Sequence, residues 1–153
     1  MADNDYTNSE KPRIAILSPY PSDYISFSGG VETAEAALLE GLTSYQEEFD
    51  FHVICLSETV TSNRREKHNG FFFHFIGIPD HPWLRPRVIG WVLKTYKELK
   101  TINPLLVHSQ GHIALSLAPI LGHYPRIYTV HGICRAEAKA WGKRSGKWAI
   151  LMD

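Results

Sequence analysis

Apolar residues along this chain alternate between short unbroken runs and stripes of helical spacing. Residues 13–18 (RIAILS) are a run of strand length, which Pro19-Tyr20-Pro21 stops. A polar loop then leads to Gly29-Gly30. Val31, Ala34, Leu38, Leu42 and Tyr45 recur at helical spacing, with Ala37 and Gly41 beside them, and predict an amphipathic helix. Residues 51–56 (FHVICL) predict a second strand. Residues 57–69 are polar, carry Arg64, Arg65 and Lys67, and are expected to form a mobile surface loop. The aromatic run 70–76 predicts a strand. Val88, Val92, Tyr96 and Leu99, with Ile89 and Leu93 alongside, predict a helix entered through Pro86 and ended by Asn103-Pro104. Strands over 105–109 and 126–130 follow, separated by a short apolar helix over 112–121. A final helix over 135–152 is weakened by Gly142 and Gly146.

Strand and helix therefore alternate, with one β-β step after the second strand. That order predicts an α/β fold: a Rossmann-like, doubly wound, mostly parallel sheet with helices on both faces. Such sheets bind ligands outside the carboxyl ends of their strands. The chemically interesting residues cluster there, in segments 18–30, 108–112 and 131–135. Residues 1–12 are expected to be a disordered leader, and residues 13–153 one domain that would naturally continue beyond Asp153.

Composition narrows the function. Lys plus Arg and Asp plus Glu both number 16, so the chain carries no global electrostatic signature for nucleic acid. Cys55 and Cys134 are too few for a disulfide framework or a zinc cluster, which suits a reducing compartment. The first dozen residues contain no apolar signal-like core, and no apolar run reaches the ~20 residues that span a bilayer. A cytoplasmic location is the expectation. Trp83, Arg85, Arg87 and Trp91 allow peripheral contact with the inner face of a membrane, although a solvated basic face explains them more simply.

Two phosphate loops are excluded, since neither G-x-x-x-x-G-K-[ST] nor G-x-G-x-x-G occurs. Gly29-Gly30 opens a helix after a strand and a loop, where exposed amides and the helix dipole suit an anion such as a diphosphate. A simple capped turn explains the pair equally well. His108, Gln110 and His112 stand at one strand end and His131 at the next, placed to hydrogen-bond sugar hydroxyls or phosphate oxygens. A zinc site from His108, His112 and His131 is disfavoured, because Gly111 breaks the shared face and no partner carboxylate is near. His52, His68, His74, His81 and His123 show no constellation and read as structural. No G-x-S-x-G elbow or activated cysteine suggests hydrolysis.

Three features stand in a fixed order: RIAILSPYPSD leading to SGGVETAEAALLEGL, then PLLVHSQGH, then RIYTVHG. Together they resemble the N-terminal domain of the group 1, family 4-like GT-B glycosyltransferases, over roughly residues 13–135. The resemblance implies a retaining transfer of a sugar from a nucleotide-sugar donor, across a cleft between this domain and a C-terminal one. Gly29 and Gly30 would face the donor diphosphate; Gln110, His112 and His131 would act near the reacting sugar. Tyr20, His108 and Arg135 would receive a glycan or lipid-linked acceptor. No metal or other cofactor is implied. The family often ends its fourth main strand in H-x-H, whereas here Gln110 takes the second place and cannot exchange a proton near neutral pH. Without its C-terminal half the chain is expected to be inactive. The rival expectation is a non-catalytic remnant of the same fold that holds a glycan, a lipid or a protein.

Overall fold

The computed structural model describes residues 10–27, 29–57, 60, 62–77, 87–110 and 122–131. Six strands form one sheet: β1 (Arg13–Ser18), β2 (Asp50–Ser57), β3 (Arg64–His68), β4 (Phe71–Gly77), β5 (Leu106–Gln110) and β6 (Arg126–Thr129). Two helices, α1 (Gly30–Leu42) and α2 (Arg87–Ile102), connect β1 to β2 and β4 to β5. The strand order is β3-β4-β2-β1-β5-β6, parallel throughout except for β3, which pairs antiparallel with β4 at the edge. The fold is the Rossmann-like α/β arrangement expected from the alternation of strand and helix. The chain is tied to the sheet already at residues 11 and 12: the Lys11 ammonium donates to the Gln46 carbonyl, and the Asp50 N–H to that of Pro12. The predicted helices over 112–121 and 135–152 lie outside the described residues.

Period-two burial explains the two-layered core. Ala15, Leu17, Ile54, Ile76 and Val107 point to one face, where Leu99 and Ile102 of α2 cover them. Ile16, Val53, Cys55, Phe71, Phe73 and Phe75 point to the other, under Leu39 of α1. The chain moves outward from β1 in one direction through β2 and β4, then returns through α2 to β5 on β1's other side. The point of reversal lies between the carboxyl ends of β1 and β5. Open α/β sheets place their ligand crevice at such a switch point.

Two expectations need correction. Residues 57–69 are not wholly a mobile loop, because Arg64–His68 forms β3. Asn69 and Gly70 have φ of 49° and 84°, the two positive values a two-residue hairpin turn needs. The polar side chains of β3 suit an exposed sheet edge, so no apolar run advertises it. The second correction concerns α1. Its buried residues are Glu35 and Leu39, while Ala34 is exposed and Tyr45 is half-exposed. The helix is rotated by about one residue from the stripe through Ala34 and Leu38, which carries a carboxylate into the core. The end of α2 is as expected: Asn103 adopts φ 49° and its N–H returns to the Leu99 carbonyl at 2.8 Å.

Candidate active site

The mouth of α1 is built by Gly29 and Gly30. Gly29 is the cap residue, extended at φ −152° and ψ 168°, and no side chain caps the helix. Its carbonyl accepts from the Thr33 N–H and from the Thr33 hydroxyl, both at 3.1 Å. Neither glycine has a positive φ, and a Cβ on either would meet no atom of the described residues within 4 Å. Backbone conformation and packing within the described residues therefore give no reason for glycine here. Both residues are exposed.

The loop before them is anchored. The Tyr20 ring packs on Phe73 at 5.2 Å and edge-on to Phe27 at 5.4 Å. Tyr24 stacks on His68 at 4.0 Å, and its hydroxyl donates to Glu66. Arg64 donates to the Ser22 carbonyl at 2.8 Å. The Asp23 carboxylate accepts from the Ile25 and Ser26 amides at 3.1 and 2.9 Å. The hairpin of β3 and β4 thus holds the approach to the glycines in place. Tyr20 spends its ring on this aromatic cluster.

Across the switch point, Gln110 ends β5 and is buried. His131 lies two residues beyond β6, and its Nε2 meets the Gln110 amide oxygen. With that oxygen accepting, Nε2 carries the proton. One residue pair earlier, His108 Nε2 lies 2.7 Å from the Thr129 hydroxyl. Burial, assisted by the nearby His131 ring, pushes His108 below the ordinary histidine range, so it is neutral near pH 7. The structure therefore pairs Gln110 with His131 and His108 with Thr129, all on the same edge of the sheet as Gly29 and Gly30. His112 and Arg135 lie outside the described residues. Among the described residues no three His, Cys, Asp or Glu side chains converge to hold a metal.

Two features escaped the sequence reading. Glu35 lies fully buried behind the mouth of α1. On the opposite face, His52 and His74 do form a constellation. His52 Nδ1 meets His74 Nε2 at 2.9 Å, and His74 Nδ1 meets Glu98 Oε1 at 2.7 Å. Arg65 grips both Glu98 oxygens, at 2.7 and 3.0 Å. Burial pushes the Glu98 carboxyl up, but hydrogen bonds and charge from His74 and Arg65 outweigh it and hold it at about 2. This chain ties the edge hairpin to α2 and stands away from the crevice.

An exposed helix mouth and polar strand ends flank the switch point of a parallel sheet, where open α/β sheets place their ligand crevice. The chain belongs to Glycosyltransferase Family 4, whose family model matches residues 28–152. The matched span begins beside the diglycine and includes both histidine-bearing strand ends. No curated protein matches the chain. Among the described residues, no helix is long and apolar enough to cross a membrane.

Proposed function

We propose that this glycosyltransferase domain is the acceptor-side half of a retaining, nucleotide-sugar-dependent GT-B enzyme. In this reading the crevice closes only against a C-terminal half that carries most of the donor. The observation that supports it best is the open space at Gly29 and Gly30, glycines that neither φ nor packing among the described residues requires. A ligand that must come close to the main chain supplies the reason. The donor diphosphate fits, because helix-mouth amides would stabilise the negative charge that grows on it as the sugar leaves. Gln110 and His131 would hydrogen-bond the sugar or the acceptor hydroxyl, with Nδ1 of His131 facing the proton to be moved. His108 and Thr129 would set the height of that pair. His112, Arg135 and Tyr20 remain proposed contacts, and neither a metal nor another cofactor is required. The enzyme would act in the cytoplasm on a glycan or a lipid-linked acceptor.

Transfer from a nucleotide-sugar should be absent when the chain is assayed alone and should appear when it is joined to the C-terminal half. Sustained turnover by the chain alone would overturn this proposal.

A further inference from the structure

The mouth of α1 has a buried acid behind it. Glu35 is the sixth residue of the helix, and its side chain is fully buried. Among the described residues neither carboxyl oxygen has a hydrogen-bond partner, and neither does the Ser18 hydroxyl. The groups around Glu35 come from three elements. The end of β1 and the residues after it contribute Ser18 and Tyr20, and β2 contributes the Cys55 thiol, which accepts from the Tyr20 N–H. α1 itself contributes Leu39, one turn further on; the same face of the sheet carries Phe71, Phe73 and Phe75 from β4. Among the described residues no Lys, Arg or His pairs with Glu35. A carboxyl in this position is least costly as the neutral acid. Burial lifts it to about 7, and the neighbouring Ser18 hydroxyl opposes this without closing a well-formed hydrogen bond.

We infer that Glu35 is a proton-linked positioning residue for the anion site at the mouth of α1, which takes a diphosphate while Glu35 is neutral and releases it when Glu35 ionises. The inference rests on the diphosphate reading above. Glu35 lies five residue steps along the helix from Gly30, roughly 7.5 Å along the axis. At about that distance and a protein-like dielectric, a like charge weakens binding on the order of tenfold per unit of ligand charge. The same charge loosens the packing of α1 on β1, which sets the direction of the Gly29 and Gly30 amides. Linkage works in both directions, so a bound diphosphate must raise the proton affinity of Glu35.

Inorganic pyrophosphate tests this on the 153-residue chain. Its affinity would be measured between pH 5.5 and 8.5 for the wild type and for Glu35→Gln, whose amide stands for the neutral acid. Comparing the two proteins cancels the ionisation of pyrophosphate itself. At the acid end the affinities should match; at the alkaline end, where pyrophosphate is multiply charged, the wild type should bind at least about tenfold more weakly than the variant. Binding with parallel pH profiles overturns the inference and leaves the diphosphate reading standing. No binding by either protein at any pH, alone or joined to the C-terminal half, overturns both. If Glu35→Gln does not fold, the carbon-13 titration of the Glu35 carboxyl in the wild type decides. Its midpoint should rise with saturating pyrophosphate, and an unmoved midpoint overturns the inference.

Discussion

Glu35 and Glu98 are both helix-borne carboxylates pressed onto the same sheet, Glu35 on the α1 face and Glu98 on the α2 face. Glu98 meets Arg65 and His74 and is held at about 2; Glu35 meets a hydroxyl, a thiol and aromatic rings and is lifted to about 7. Burial pushes both in the same direction. The partners decide at what pH each carboxyl takes up its charge. The same division separates the two faces by role. The α2 face ion-pairs its carboxylate and fastens the edge hairpin; among the described residues, the α1 face leaves its carboxyl without a hydrogen-bond partner beside the helix mouth.

The largest effect should come from breaking the satisfied side. Glu98→Ala leaves the half-buried Arg65 guanidinium and the buried His74 without their carboxylate, and should cost about 3–5 kcal/mol in urea unfolding. Acid should erode the same stabilisation. The folded carboxyl titrates near 2 against an ordinary 4.5, so its contribution of about 3 kcal/mol is present above pH 4.5 and is lost as pH falls towards 2.

The α1 face should behave in the opposite sense. Glu35 titrates near 7 when folded, above its ordinary 4.5, so its contribution is fully present below pH 4.5 and is lost as pH rises through 7. Glu35→Gln should therefore match the wild type at pH 4 and exceed it by about 2–3 kcal/mol at pH 8.5. Equal unfolding midpoints at both pH values would show that the carboxyl finds a partner on this face. A smaller effect is expected at the hairpin that joins β3 to β4. A Cβ on Gly70 would meet the Gln46 side chain at 2.2 Å, at a φ of 84°. Gly70→Ala should lower stability by about 1–2 kcal/mol and loosen the Tyr24 stack, seen as a change in tyrosine fluorescence.

Much of this was legible in the chain before any coordinates. The apolar runs RIAILS and FHVICL gave away β1 and β2 because central parallel strands are buried on both faces. Asn103-Pro104 marked the end of α2 because few residues other than Asn tolerate the left-handed turn there. β3 was missed because an edge strand with RREKH has no apolar period to read, although Asn69-Gly70 is a hairpin signal in its own right. Glu35 was invisible for a different reason. Apolar spacing gives a helix its face only to within about one residue, and that error moved a carboxylate from solvent to core. The His52–His74–Glu98–Arg65 chain needed the register of β2, β3 and β4, which no local pattern encodes. At the crevice, the diglycine and the residues Gln110 and His131 could be named from sequence; the contact between the last two could not.

The crevice itself is tested by Gly30→Ala in the chain joined to the C-terminal half proposed above. The φ of Gly30 is ordinary and its surroundings are open, so alanine should raise the urea midpoint slightly, by about 0.5–1 kcal/mol of stability. The new methyl should nevertheless displace the donor diphosphate and reduce transfer by about 10–100-fold. A well-folded Gly30→Ala enzyme that transfers sugar at the wild-type rate would contradict the account.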